Sequence, residues 1–394
     1  MASIREYRNK NGKPFSYDIR IYKGRDLFGK QLKPYYMTWK VPKGMTEKQI
    51  EKELNRQIVM FEQNCNQGLI AEDNYSFESY SQYVISLKMR TGIKHSTIVR
   101  YKELLVRVNL AIGHLKLTEI RPQKLNSFYN ELSKPGTNKS NGKGLSSKTI
   151  LEHHRIISTI FSQAEKEMLV PYNPAKKATP PKIEKKEANY FQTDELKAIL
   201  ICLNSEPLKW KTLVHMLLIT GGRRGEILGL KWADIHWEEE RININNNLLY
   251  SPDIGIYETS PKNEDSKRYI QIPVETITLL KEYRDWYLAE KETLGSHWEN
   301  TDFVFVKYNG KPMHPDSITD YLKKFSKKYN LPHINPHAFR HTMASLLVFS
   351  GMDIVNISKR LGHSNVSTTT DIYSHVIKEA DEQSAENIAD IILR

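Results

Sequence analysis

Residues 337–373 read HAFRHTMASLLVFSGMDIVNISKRLGHSNVSTTTDIY, and this stretch near the C-terminus decides how the chain is interpreted. Four polar side chains stand out from an otherwise helical and apolar pattern: His337, Arg340, His363 and Tyr373. Arg340 follows His337 by three residues, so on a helix both side chains lie on one face. A guanidinium, two imidazoles and a phenol can together hold a phosphodiester and attack it with a side-chain oxygen.

Cleavage of a phosphodiester requires neutralised charge on the non-bridging oxygens, a nucleophile and a proton for the leaving oxygen. Arginine suits the first task because its fork donates two hydrogen bonds to a phosphate and stays charged. A second candidate, Arg223, lies in ITGGRRGEILGLKW (219–232), where two glycines precede a predicted helix whose start favours an anion. A phenol has a pKa of about 10, so Tyr373 would need nearby cations to attack. On its own, any one of 21 tyrosines is more simply a packing residue.

Length and composition bound the class of protein. With 394 residues, 39% hydrophobic and 26% charged, the chain is long enough for two or three globular domains. It has no run of about 18 apolar residues, so we expect no membrane span. Its two cysteines are far apart, which favours a reducing cytoplasm. The 58 lysines and arginines against 46 aspartates and glutamates give a net charge of +12, which favours nucleic acid or an anionic membrane surface as partner.

Three segments of the chain resemble a known family. TGGRRGEILGL, PHAFRHTMAS and LGHSNVSTTTDIYSH closely resemble the three signature boxes of the tyrosine recombinase (phage integrase) family, in the family's order. The resemblance implies that Arg223 and Arg340 clamp the scissile phosphate, with His337 as a further hydrogen-bond partner and proton manager. It also implies that His363 donates to the same phosphate. Tyr373 would then attack and form a 3′-phosphotyrosyl intermediate.

The resemblance extends to two further roles and to the absence of a cofactor. TSPKNEDSKRYIQIP resembles the β-hairpin that carries the family's leaving-group lysine, which makes Lys262 the candidate and Lys267 the alternative. Glu226 matches the family's supporting acidic position. Histidines recur at 333, 337 and 341, but no cysteine pair, HExxH or acidic cluster accompanies them, so we expect no metal. The family needs no other cofactor.

The front of the chain predicts a small basic domain over residues 1–70. Residues 1–45 contain eleven lysines and arginines against three acidic residues. Period-two patterns in SYDIRIY and PYYMTWKV indicate strands, and the capping box TEKQ, which begins at Thr46, opens a helix that should end near Gly68. Basic strands with interleaved aromatic residues suit the major groove of DNA, although these aromatics could simply pack on the helix.

The sequence of residues 75–170 predicts a bundle of four helices. The helices are expected in SFESYSQYVISLKMR, from Ser96, after Pro122 and from Ser146 or Ser147, each with an apolar stripe that faces a core. Their polar faces carry candidates for contact with DNA phosphates, which could equally be solvated. These candidates are Lys94, Ser96, Arg100, Lys148, His154 and Arg155.

A basic, proline-rich stretch, PYNPAKKATPPKIEKKEANY, predicts an extended linker over residues 171–190. It leads to an α-rich domain over residues 191–394, in which 241–249, 267–273 and 301–306 read as strands. We therefore expect a multidomain, mainly α protein with little β structure. Its parts would be a small N-terminal sheet plus helix, a central helical bundle and an α-rich catalytic domain with a small β-sheet.

The resemblance implies a site-specific DNA recombinase that cleaves and rejoins strands. A small basic domain ahead of the helical domain resembles the arm-binding domains of integrases from lambda-like phages and conjugative transposons. We therefore expect an integrase that integrates and excises a mobile genetic element. The alternatives are a chromosome- or plasmid-resolving recombinase, a type IB topoisomerase and a non-catalytic DNA-binding regulator.

The expected partners follow from this interpretation. They are double-stranded DNA at core and arm attachment sites, further copies of the chain in a dimer or tetramer on DNA, and an excisionase or host DNA-bending protein. The expected setting is the bacterial cytoplasm near the nucleoid, with no membrane. The apolar tail SAENIADIIL (384–393) would pack either on its own domain or on a neighbouring protomer.

Overall fold

The chain divides into two compact units, Met1–Glu184 and Lys185–Arg394, and the division falls within the predicted linker. The computed structural model describes these residues: 2–9, 12–22, 24, 29–66, 75–184, 190–259, 267–363, 365–367, 369–370 and 372–373. Mainly α structure with small sheets is observed, as predicted. Among the described helices, none has both the length and the apolar character needed to cross a bilayer.

A three-stranded antiparallel sheet and one helix form the front of the first unit. The strands, in spatial order β1-β2-β3, and the helix have these bounds: β1 Ala2–Arg8, β2 Pro14–Ile21, β3 Tyr35–Lys40 and α1 Glu47–Asn66. Alternation along β2 places Ile19 on the face that packs against Phe61 and Cys65 of α1. The predicted capping box is present, because Thr46 N donates to Gln49 Oε1 at 2.9 Å.

Four α-helices, as predicted, and three short helical turns (Asn109–Gly113, Leu117–Glu119 and Pro174–Lys177) form the rest of the described first unit. The α-helices have these bounds: α2 Phe77–Arg90, α3 His95–Val108, α4 Pro122–Ser133 and α5 Ser147–Lys166. The predicted apolar stripes meet in one core, which includes Phe77, Val108, Leu125 and Ile157. Helix α3 begins one residue earlier than expected, and α5 is capped by Ser146, whose Oγ accepts from Thr149 N at 3.2 Å.

The second unit packs its helices around one helix that is apolar on nearly every side. The helices have these bounds: α6 Thr193–Leu203, α7 Leu208–Thr220, α8 Arg224–Leu228, α9 Val274–Leu294, α10 Ser317–Lys328, α11 Pro336–Phe349 and α12 Ile354–Leu361. Helix α7 is the central one and packs against α9 and α11. Two small antiparallel sheets accompany them: β4 Ile235–His236 with β5 Arg241–Ile244 and β8 Arg268–Gln271, and the hairpin of β6 Asn247–Ser251 and β7 Gly255–Thr259.

Two strand predictions in this unit need correction. The segment 241–249 is not one strand, because Asn245 and Asn246 separate β5 from β6. The segment 301–306 forms only isolated bridges, to Lys231 and to Pro312. Its backbone groups find other partners: Val304 N donates to Leu230 O, and the Val304 carbonyl accepts from Tyr283 Oη at 3.0 Å.

Candidate active site

The first arginine of the candidate site lies at the tight turn between α7 and α8. Gly221 ends α7 with a φ of 60°, a left-handed conformation that favours glycine. A Cβ there would also collide with the Met343 side chain of α11. Arg223 is the N-cap of α8, and Glu226 in the first turn of α8 accepts from Arg223 N at 3.0 Å and from its Nη1 at 2.6 Å. The TGGR segment thus fixes the start of the Arg223 side chain.

Glu226 is buried between two guanidinium groups. Only 4% exposed, it also accepts from Nη2 of Arg268 at 2.9 Å. Burial opposes ionisation of this carboxyl, but the charges of Arg268 and Arg223 outweigh burial and hold its pKa below the ordinary value. Arg268 itself is fixed at its other end, where Nε donates to Arg360 O at 2.7 Å.

Arg340 is the most deeply buried of the predicted arginines. It lies in α11, whose N-cap Asn335 accepts from Ala338 N at 3.0 Å. Its Nη1 donates to Gly221 O and its Nη2 to Leu361 O, both at 2.7 Å, so it ties α11 to the ends of α7 and α12. Burial, followed by repulsion from Arg223, lowers the pKa of Arg340 to about 9. The surroundings therefore disfavour a further positive charge.

The two predicted histidines flank this group. His337 is in the first turn of α11, where partial burial and then the charge of Arg340 lower its pKa. His363 follows Gly362, which ends α12 with a φ of 68°, and its Nδ1 lies 2.8 Å from Thr369 Oγ1. Burial, with the charges of Arg340 and Arg223, lowers the pKa of His363 to about 4. Both imidazoles are therefore neutral at neutral pH, so each has one N–H to donate.

Tyr373 lies under this group and is only 1% exposed. Its ring packs in an apolar cluster with Met343, Ile357 and Leu361. Burial raises the pKa of Tyr373 to about 12, although the positive charge of Arg340 acts to lower this pKa. Its phenol oxygen lies 2.8 Å from Nδ1 of His341.

One candidate of the sequence analysis cannot be placed. Lys262 lies outside the described residues, while the alternative Lys267 is described and exposed, immediately before β8. Among the described residues no group of three His, Cys, Asp or Glu side chains could hold a metal ion. Cys65 and Cys202 are not joined by a disulfide.

The candidates for DNA contact on the helical bundle differ in how available they are. Lys94, Ser96, Lys148 and Arg155 are exposed. Arg100 is exposed but forms ion pairs with carboxylates of the protein, at 2.6 Å to Glu152 and 2.9 Å to Glu103. His154 is half-buried, with Nδ1 2.9 Å from the phenol of Tyr129. Arg100 and His154 would thus have to exchange a protein partner for a phosphate.

Two family models match the chain and settle its relationship. The model described as phage integrase family matches residues 189–380, and the model described as phage integrase SAM-like domain matches residues 76–180. The chain belongs to the tyrosine recombinase (phage integrase) family. The first of these matches contains all six predicted catalytic positions, and the second contains the four helices of the bundle.

Individual relatives within the tyrosine recombinase family match different shares of the chain. A tyrosine recombinase XerC-like protein of Caldanaerobacter subterraneus is 28% identical over 98% of both chains. The ICEBs1 integrase of Bacillus subtilis is 28% identical over 63% of this chain and 67% of its own. The fold is similar to that of the Tn1549 transposon integrase in complex with a circular intermediate DNA. That match has a TM-score of 0.65 and 21% identity, and covers 80% of this chain and all of the other.

Two residues of the site were not predicted to lie in it. Arg268 was not singled out, although it shares the buried face of β8 with Ile270, and an arginine on the apolar face of a strand needs a buried partner. His341 was considered only with His333 and His337 as a metal ligand, yet its Nδ1 lies 2.8 Å from the phenol oxygen of Tyr373. The signal for His341 was its spacing of four residues from His337, which places the two imidazoles one helical turn apart.

Proposed function

We propose that this tyrosine recombinase is an integrase that cleaves and rejoins DNA at specific sites through a 3′-phosphotyrosyl intermediate at Tyr373. The observation that carries the proposal is a surplus of positive charge around a phenol. Arg223 and Arg268 form ion pairs with the carboxylate of Glu226, and the charges of all three groups act on the nearby Arg340. Such a site binds an anion favourably, because a phosphate would compensate the guanidinium charge that Glu226 does not.

The two clamp arginines would act in different ways. The side chain of Arg223 is 40% exposed and can turn towards a phosphate, while Glu226 fixes its backbone. Arg340 is held by two carbonyl oxygens and would present its remaining N–H groups in a fixed direction. A preorganised donor needs no rearrangement as negative charge develops in the transition state, which is why such donors contribute strongly to rate.

The remaining groups supply the other requirements of the reaction. His337 and His363, both neutral, would each donate one hydrogen bond to the phosphate oxygens. The oxygen of Tyr373 would form the new bond to phosphorus, and the 5′-oxygen would leave with a proton from Lys262, or from Lys267 as the alternative. Attack by the 5′-hydroxyl of another strand reverses these steps and rejoins the DNA.

We assign residues 1–70 to arm-site DNA, residues 75–170 to core-site DNA and residues 191–394 to catalysis, with 171–190 as linker. The sheet face opposite α1 supports the first assignment, because Arg20 stacks on the ring of Tyr36 at 5.6 Å. At the centre of that face, Asp18 accepts from Tyr7 Oη at 2.9 Å and from Thr38 Oγ1 at 2.8 Å. A basic, aromatic and internally braced surface suits the DNA major groove.

Assembly and location follow from the same proposal. Integration and excision join two DNA duplexes, so four copies of the chain would act together, with an excisionase or a host DNA-bending protein selecting the direction. The protein would act at the nucleoid in the cytoplasm. Lambda integrase, a structural neighbour of the same fold, was solved as a dimer bound to a core site and as a tetramer bound to a Holliday junction.

A supercoiled plasmid with two candidate attachment sites tests the proposed activity. Recombination between the sites is the expected result, and the reaction should need both sites. Relaxation alone, with no exchange between sites, would instead indicate topoisomerase activity, and binding without strand cleavage would indicate a regulator. Either of those two results contradicts the proposal.

The arm-site assignment has its own test. Replacing Arg20 with alanine should weaken binding to the arm site and reduce the salt dependence of binding by about one counterion, because one cation is lost. The matched control is Arg56→Ala, which removes an arginine from α1, on the other side of the sheet. Equal binding losses for the two variants would argue against the sheet face as the DNA surface.

A further inference from the structure

A histidine with no role in the proposed reaction contacts the nucleophile directly. Nδ1 of His341 lies 2.8 Å from the phenol oxygen of Tyr373, and the two rings meet edge-on at 5.7 Å with an interplanar angle of 62°. His341 belongs to α11, one residue after Arg340 and one helical turn after His337. The reacting oxygen is therefore hydrogen-bonded to a side chain from the helix that also carries Arg340.

The surroundings of the phenol make a proton acceptor necessary. Tyr373 is 1% exposed, and its apolar neighbours Met343, Ile357 and Leu361 cannot take its proton. Burial raises the pKa of this phenol to about 12, so at neutral pH it is almost entirely protonated. A phenol attacks efficiently only if its proton leaves as the new bond forms.

We propose that His341 accepts the phenolic proton of Tyr373 through Nδ1 as the phenol oxygen attacks the scissile phosphate. The inference rests on the proposed function. In this step the bond from the Tyr373 oxygen to phosphorus forms and the bond from phosphorus to the 5′-oxygen breaks. The phenolic proton passes to His341, and a separate acid protonates the leaving 5′-oxygen. On rejoining, the imidazolium returns its proton to the phenol.

The charges around His341 fit this role. Arg340 on the same helix interacts electrostatically with Tyr373, and His363 after α12 interacts with His341, Arg340, Arg223 and Arg268. A neutral imidazole can accept a proton at Nδ1 when its own proton is on Nε2. An incoming phosphodiester adds negative charge beside the new imidazolium, which favours the transfer at the moment of attack.

Single-turnover cleavage of nicked DNA substrates by the full-length protein tests the inference. One substrate carries the ordinary 5′-oxygen leaving group, and the other carries a bridging 5′-sulfur, which leaves without an acid. For His341→Ala and His341→Asn we expect cleavage slower by about 10²-fold or more on both substrates, the usual contribution of a general base. Asparagine is the sharper variant, because its oxygen can keep the hydrogen bond at the Nδ1 position but cannot take the proton.

Several outcomes would overturn the inference. Cleavage by His341→Asn at the wild-type rate would show that only the hydrogen bond matters, and rescue of His341→Ala by the sulfur substrate would make the residue an acid. The control is His333→Ala, an exposed histidine before α11, which should cleave normally. Wild-type protein that forms no covalent adduct at Tyr373 would refute the proposed function itself, whatever the His341 variants do. DNA binding and the melting temperature of each variant separate slow chemistry from misfolding.

Discussion

Replacing Glu226 with glutamine removes the negative charge on which Arg223 and Arg268 converge. The carboxylate accepts three hydrogen bonds, from Arg223 N, Arg223 Nη1 and Arg268 Nη2, at 2.6 to 3.0 Å. Glutamine keeps the volume and one acceptor oxygen, but its amide group places N–H donors against guanidinium donors. The buried Arg268 would then have lost the negative charge of its partner, and this governs the size of the effect.

The exposed fractions of the three side chains determine how much stability Glu226→Gln should lose. Glu226 and Arg268 are 4% and 7% exposed, and removing one partner of such a buried pair costs about 3–5 kcal/mol. Arg223 is 40% exposed, so water screens its interaction with Glu226, and the loss of this ion pair adds little to the cost. Because glutamine retains one acceptor, we expect the free energy of unfolding to fall by about 3 kcal/mol at neutral pH.

The pH dependence provides a second signature. The pKa of Glu226 is lowered in the folded chain, so the unfolded chain takes up this proton at a higher pH than the folded one. The stabilisation is therefore fully present above the unfolded pKa, ordinarily 4.5, and is lost as the pH falls through the lowered folded value. The stability difference between wild type and Glu226→Gln should shrink steadily below a pH of about 4.

Urea unfolding followed by tryptophan fluorescence measures this effect in the relevant unit, since five of the six tryptophans lie after residue 190. Glu299→Gln is the matched control in the same unit, because its ion pair with Lys311 is 53% exposed on both sides and should contribute less than about 1 kcal/mol. A loss below about 1 kcal/mol for Glu226→Gln, or an equal loss at acidic and neutral pH, would refute the reasoning.

Two further predictions concern the clamp. Arg340→Lys should slow single-turnover cleavage by about 10²-fold or more, since one ammonium cannot replace a planar guanidinium held by two carbonyls. The control is Arg284→Lys on α9. Equal cleavage rates for the two variants would show that Arg340 does not belong to the clamp. Gly362→Ala should lose stability and cleavage, because a Cβ there would lie 2.7 Å from Nη1 of Arg268, whereas Gly351→Ala, with a φ of 81° and open space, should lose only stability. Normal cleavage by Gly362→Ala would show that the position of Arg268 does not matter.

Much of the fold could be predicted because its signals are local. Helical spacing of apolar residues predicted all four helices of the bundle, and the TEKQ capping box marked the start of α1. The strand prediction for residues 301–306 was wrong because a short apolar run is compatible with a strand or with any buried segment. Whether Val304 pairs with a strand or with Leu230 and Tyr283 depends on distant parts of the chain.

The candidate site also contains residues that local sequence motifs predict and residues that they do not. Arg223, Arg340, His363 and Tyr373 could be named from motifs, and the structure brings them into one group, while their catalytic roles stay predictions. Arg268 could not be named, because its partners lie 42 residues before it and 92 residues after it in sequence. The contact of His341 with Tyr373 also spans 32 residues, so only the packing of the segment after α12 against α11 creates it.

The central claim is tested most directly by trapping the covalent intermediate. A nicked attachment-site substrate that loses its 5′-product after cleavage should accumulate a protein–DNA adduct with the wild-type chain. Protease digestion followed by mass spectrometry should find the nucleotide on Tyr373, and Tyr373→Phe should bind the same DNA without forming an adduct. An adduct that persists in Tyr373→Phe, or one mapped to another residue, would contradict the account.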